Sequence, residues 1–146
     1  MASLRRVTMG LVCGLLAAAA TAAPVAYVVE DYRIAAPLTA TPGDAVRGEE
    51  IATTRALGNC LTCHVLPGDY EFPGTTGPTL VGVARRLDAG QLRLRLVDPK
   101  QINPYTMMPA YFRTTGLYRV APEYVGKPIL SAQQVEDVLA YLLTLR

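Results

Sequence analysis

Cys60-Leu61-Thr62-Cys63-His64 is the densest piece of chemistry in the sequence. Two thiols separated by two residues, with an imidazole directly after, form the C-x-x-C-H pattern that attaches a c-type haem. Each thiol can add to one vinyl group of a single porphyrin, and His64 can reach the iron from the same segment. His64 is the only histidine in the 146 residues, so two-histidine ligation of one haem is impossible within this chain. A thioether is the common alternative and raises the reduction potential. The methionines are Met1, Met9, Met107 and Met108, and the first two fall in an N-terminal leader. The candidate is therefore Met107 or Met108. A methionine is more often core filler, but these two sit in a proline-rich loop with no helical stripe. Pro109 keeps the residue before it out of the α-region, which selects Met108; Met107 then points elsewhere and packs.

His64 also needs a partner for its other ring nitrogen, since that bond fixes the tautomer. Gly77-Pro78-Thr79-Leu80 is the candidate segment. Pro78 has no N–H, but its carbonyl is free to accept, and Leu80 would then lie against the porphyrin. An ordinary turn explains the same four residues equally well. Other uses of the cysteines fit less well. Structural zinc sites take four ligands, and one Cys pair with one His supplies three. A thioredoxin-like pair lacks its β-α-β setting. A Cys60–Cys63 disulfide closing a haem-free binding module is the remaining competitor, favoured by export to an oxidising compartment.

These residues need an exported domain around them. Arg5 and Arg6, the apolar run Val7 to Ala20 and the small residues Ala20-Thr21-Ala22 read as a secretory signal, with cleavage near Ala22 or Ala23. The run is short for a membrane span and no second one follows, so a retained anchor is the weaker reading and no stable membrane anchor is expected. Cys13 lies inside the leader; Val12 before it is too large for a lipidation signal, leaving Cys13 as apolar filler. The expected division is a signal peptide at 1–22, an N-terminal arm at 23–42 and one domain at 43–146. Cleavage removes Arg5 and Arg6 from the 14 basic residues, leaving 12 against 12 acidic ones. A formal charge of zero gives no case for nucleic acid.

Along the mature chain, Pro24 to Pro42 reads as an extended arm whose Tyr27, Tyr32, Ile34 and Leu38 can pack on something. A helix is expected from Asp44, its N-cap, to Leu57, with Val46, Ile51, Ala52 and Arg55 setting one face. Gly58 is expected to end it in a left-handed conformation. Thr79 to Arg86 suggests a short helix. Asp88 caps a further one, Ala89 to Val97, stopped by Pro99. Leu92-Arg93-Leu94-Arg95-Leu96 also alternates like a strand, but no partner strand is evident. Pro99 to Leu130 holds five prolines and no period. So long a structureless loop is uncommon unless functional, and a haem would give it apolar surface to lie on. Ser131 and Gln134 form a capping box for a last helix, with Val135, Val138, Leu139, Leu142 and Leu145 in register and Tyr141 and Leu143 widening the face. It is expected to cross the Asp44 helix.

C-x-x-C-H, Gly-Pro-Thr-Leu and a late Met-Pro together resemble a class I cytochrome c. That resemblance implies an all-α fold around one covalent haem c. Further blocks narrow it: Gly82 to Arg86, Gln91 to Pro99, Asn103-Pro104, Met108-Pro109-Ala110-Tyr111, Gly126 to Leu130 and Gln134 to Leu142. Across nearly the whole mature chain these are similar to SoxX, the small cytochrome subunit of the SoxAX complexes of bacterial sulfur oxidation. The resemblance implies a periplasmic electron-transfer subunit of an L-cysteine S-thiosulfotransferase. The larger haem-bearing partner, SoxA, would carry the catalytic cysteine, thiosulfate would be joined to a cysteine of the SoxYZ carrier, and electrons would pass to a downstream acceptor. It also suggests that the arm wraps SoxA, burying Tyr27, Tyr32 and Ile34. This chain fits that division: once Cys60 and Cys63 hold the porphyrin, no cysteine is left to carry sulfur and no free histidine to act as base. The competing reading is a free soluble cytochrome shuttle, which needs no apolar arm.

Overall fold

The computed structural model describes residues 25–146; the expected signal peptide lies outside the described residues. Among them are three α-helices, α1 (Ala45–Thr53), α2 (Ala89–Val97) and α3 (Ala132–Thr144), joined by loops and four short 3-10 turns. The only pairing of strand type among these residues is an isolated bridge between Glu30 and Arg33. The all-α expectation holds.

α1 packs across α3, and the sequence has shaped it for close approach. A Cβ at Gly48 would overlap the carbonyl of Asp137, so only glycine lets the two backbones meet there. The buried face of α1 is accordingly Gly48, Ile51 and Ala52, whereas Val46 is 80% exposed and Arg55 is exposed. The apolar face expected around Val46 is thus rotated, because the contact is built on the smallest residue, which a hydrophobic pattern cannot weigh. Asp44 caps α1 by accepting from the Val46 and Arg47 N–H groups. The helix stops at Thr53, not Leu57, with Thr54 extended. The left-handed residue is Asn59 (φ 49°), not Gly58. Gly58 is needed for another reason: a Cβ there would lie 2.9 Å from the Ile51 carbonyl oxygen.

α2 and α3 have the expected starts. Asp88 with Gln91, and Ser131 with Gln134, each form a reciprocal capping box. On α3 the residues Val135, Val138, Leu139, Leu142 and Leu145 are all buried. The Leu/Arg alternation on α2 has a structural cause. Arg93 faces inward with Leu92, Leu94 and Leu96, and its guanidinium meets Glu136 of α3 in a two-pronged pair at 2.7 and 3.0 Å. Between Thr79 and Arg86 the expected short helix reduces to a 3-10 turn, Val83–Arg85, entered through Gly82 at φ +68°.

The N-terminal arm is ordered on this same core. Ile34 is 1% and Leu38 5% exposed. Arg93 donates to the Ile34 carbonyl at 2.7 Å, and Glu136 accepts from the Leu38 N–H at 2.8 Å. Tyr27 stacks obliquely on Phe112, ring centres 6.3 Å apart. Of the three residues that the resemblance would bury on a partner, Ile34 is buried within this chain and Tyr27 is half-buried here. Tyr32 is 67% exposed.

Candidate functional site

The segment after α1 turns tightly. Cys60–Thr62 is a 3-10 turn entered through left-handed Asn59, and the Cys63 and His64 N–H groups both donate to the Cys60 carbonyl, at 3.1 and 2.9 Å. This puts Cys60, Cys63 and His64 on the wall of one cavity of about 580 Å³, within the range of ordinary ligand pockets. Both thiols are free, Cys60 buried and Cys63 half-buried. Burial pushes the Cys60 thiol up to about 11. A redox or nucleophilic cysteine has its value lowered instead, so this is a thiol kept neutral in an apolar wall.

The imidazole is held by its neighbours. His64 Nδ1 lies 2.7 Å from the Pro78 carbonyl oxygen. A carbonyl only accepts, so Nδ1 carries a proton, and in the neutral ring Nε2 is then the nitrogen with the lone pair. The Pro78 carbonyl thus meets the ring, and Leu80 lines the same cavity. Gly77 has its own part in holding the ring. A Cβ on it would lie 2.6 Å from His64 Nδ1 and 2.9 Å from Nε2, so the imidazole occupies the space that any other residue would fill.

The proline-rich loop supplies another wall. Pro99, Ile102, Met107, Met108 and Pro109 line the cavity together with Leu92 and Leu96 of α2. Met108 packs half-buried against the core, whereas Met107 does not pack as expected: it is 77% exposed. The loop does not lie on the cavity along its whole length. The Tyr111 N–H donates to Leu96 and the Tyr111 carbonyl accepts from Leu130, closing off the intervening stretch, in which Tyr118 is 90% and Val125 64% exposed. Tyr111 is a site residue that sequence reasoning missed. Its buried hydroxyl donates to the Gly58 carbonyl at 2.6 Å, tying the methionine loop to the cysteine turn. Burial raises the pKa of that hydroxyl well above the usual phenol value. Its only sequence signal was a place in Met-Pro-Ala-Tyr.

The donor set fits a covalently held porphyrin. Two thiols, one imidazole and the thioethers of Met107 and Met108 line a single, mostly apolar cavity, with no carboxylate among its described lining residues. Among the described residues no three His, Cys, Asp or Glu side chains cluster to hold a bare metal ion.

A family model described as Cytochrome c matches residues 45–146. The chain belongs to the cytochrome c family. Its cofactor is one covalently bound haem c, for which Cys60 and Cys63 supply the C-x-x-C-H thiols, and this displaces the disulfide-closed module. Among solved structures, this cytochrome is similar to a chain of "Crystal structure of SoxXA from P. pantotrophus". The two share 41% identity at a TM-score of 0.77, over 85% of this cytochrome and 97% of that chain. The SoxX resemblance read from the sequence agrees with that neighbour. No curated protein matches this cytochrome.

Proposed function

We propose that this cytochrome is the electron-transfer subunit of a periplasmic SoxAX-type complex that couples thiosulfate oxidatively to a cysteine of a SoxYZ carrier. The observation that carries the proposal is the 41% identity spread over 97% of a chain from a SoxXA structure. Electron transfer through haem follows from the family itself. The partner, the thiosulfate and the compartment are the proposed part.

In this reading Cys60 and Cys63 fasten the porphyrin, His64 ligates iron through Nε2, and Pro78 fixes the ring. Met108 is the second axial ligand, supported by its partial burial beside an exposed Met107. When bound, the haem supplies a one-electron couple whose potential a thioether ligand raises. The chain's own residues provide no sulfur chemistry. Cys13 lies in the expected leader, Cys60 and Cys63 are committed, and His64 has both ring nitrogens engaged. Thiosulfate would therefore react on a larger SoxA subunit, and this chain would take the electrons and hand them to a downstream acceptor.

A free soluble shuttle is favoured by one observation. Ile34 and Leu38 complete this chain's own core, so an apolar arm no longer requires a partner. Against it stand Phe72, Tyr105 and Tyr118, each at least 90% exposed. Purification from the native periplasm decides. A complex with a larger haem-bearing subunit that conjugates thiosulfate to a SoxYZ-type carrier is the expected result. A cytochrome eluting alone at its own mass would refute it.

A further inference from the structure

The stretch that carries Met108 gains little from the packing of its neighbours. Tyr105 is 93% and Met107 77% exposed, and Pro104 and Pro109 are exposed as well. Few buried apolar contacts make a segment easy to open, so the place of Met108 is left to hydrogen bonds. The Asn103 carbonyl and side-chain oxygen accept from the Thr106 and Tyr105 N–H groups, at 3.1 and 3.0 Å. The Thr106 hydroxyl accepts from the Met108 N–H at 3.2 Å, a turn in which a side chain stands in for a backbone carbonyl.

Lys100 holds the same turn from below. It stands on the 3-10 turn Pro99–Gln101, whose Pro99 lines the cavity. Its ammonium forms no ion pair among the described residues. Instead Nζ donates to the Thr106 carbonyl at 2.9 Å and to the Pro104 carbonyl at 3.4 Å. An ionised donor makes the stronger kind of hydrogen bond. Thr106 is thus gripped at its carbonyl by Lys100 while its hydroxyl grips the Met108 amide. On the other side of Met108, Pro109 restricts its backbone and the Tyr111 hydroxyl anchors the chain on Gly58.

We propose that Thr106 and Lys100 are positioning residues for the Met108 thioether, setting the backbone of the ligand loop in the conformation that presents Met108 to the cavity. This rests on Met108 as the second axial ligand and adds what keeps it in place. A loop already set loses less conformational freedom when its side chain binds, so the thioether is harder to displace.

Imidazole added to the ferric holoprotein takes the axial position only where the thioether has let go, so its apparent Kd measures how firmly Met108 is held. Thr106→Val keeps the shape of the side chain and removes the acceptor. Its apparent Kd is expected to fall about fivefold, which is about 1 kcal/mol. Lys100→Leu should lower it by a similar factor, Thr106→Ser should hold the wild-type value, and exposed Arg55→Gln should leave it unchanged. In a Met108→Ala background no thioether remains to be displaced, and Thr106→Val should change nothing. A wild-type Kd in Thr106→Val or Lys100→Leu, an equal fall in Thr106→Ser, or a fall that persists beside Met108→Ala overturns the proposal, the last because it marks altered access to the cavity. Should one of Thr106→Val and Lys100→Leu fail to mature, the other decides. An unchanged spectrum in Met108→Ala itself sinks the Met108 reading instead.

Discussion

Gly77→Ala tests how His64 is held. A Cβ at residue 77 would sit 2.6 Å from Nδ1, against an ordinary contact limit of 3.4 Å, so ring and loop must part by about 0.8 Å. The Nδ1–Pro78 bond, now 2.7 Å, would stretch toward 3.5 Å, where it no longer counts as a hydrogen bond. Forcing a methyl into packed surroundings costs about 1–3 kcal/mol. Losing the bond adds about 0.5–1.5 kcal/mol. Together these give roughly 2–4 kcal/mol, which for a domain of this size lowers the melting midpoint by about 8–16 °C. Loss of a ligand's outer partner typically weakens a metal–imidazole bond about 10–100-fold, so part of the low-spin spectrum should also be lost at room temperature. Melting followed at the haem band measures the first effect and the absorption spectrum the second, with exposed Thr75→Ala as control. A Gly77→Ala holoprotein with the wild-type spectrum and midpoint would show that His64 is not oriented by this contact.

Met108→Ala should keep the haem attached, seen by haem staining on a denaturing gel, but abolish the His/Met low-spin spectrum, while Met107→Ala keeps it; the reverse pattern would make Met107 the ligand. Glu136→Ala strands the buried Arg93 and the Leu38 N–H, and should cost about 3–5 kcal/mol in denaturant unfolding. Joining it to Arg93→Leu should recover much of the loss, and equal destabilisation by the double variant would contradict the stranded-charge argument. Burial alone would raise the Asp137 pKa, but hydrogen bonds from Arg47, the Asp44 N–H and Gln133 outweigh it and hold the carboxyl below its ordinary 3.8. A depressed value stabilises the fold above that pH and is lost as pH falls through the folded value. The wild-type melting midpoint should therefore drop below about pH 4 more steeply than that of Asp137→Asn, and identical acid limbs would refute the linkage.

The parts of this molecule legible in its sequence are those governed by local chemistry. The α2 and α3 boundaries follow from Asp88 with Gln91 and Ser131 with Gln134, because a cap is satisfied within four residues. The cysteine turn and the Pro78 carbonyl were legible because thiol spacing and a proline's missing N–H carry chemical meaning by themselves. What stayed hidden depends on neighbours distant in the chain. Gly48 sets the α1 face only because α3 lies against it. Arg93 resembles a solvent-facing residue until Glu136, 43 positions later, is seen to take both prongs of its guanidinium. The arm offers Ile34 and Leu38 as apolar residues, but nothing local says that they close their own chain's core. Tyr111 acts across 53 positions on a carbonyl that every residue type possesses.

The ion pairs made by the buried carboxylates share a logic that bears on function. Arg93–Glu136 joins α2, α3 and the arm; Arg47–Asp137 joins the start of α1 to α3; Asp98–Arg113 spans the root of the methionine loop. Each pair closes the fold at a junction, and none of the six residues lines the cavity. What remains on the wall is thiol, thioether, one imidazole with its proton committed to Pro78, apolar side chains, uncharged amides and hydroxyls such as Asn59, Asn103 and Thr106, and two cations without carboxylate partners among the described residues. No carboxylate among the described residues lines the wall beside its one imidazole, and of its two thiols Cys60 is buried and Cys63 half-buried. Such a cavity is poorly made for acid–base or nucleophilic work on a substrate. It is well made to fix a one-electron centre among polar groups that need not move when the charge changes. In the proposed division of labour the polar residues of this chain are spent on junctions in the fold and on holding the electron carrier still.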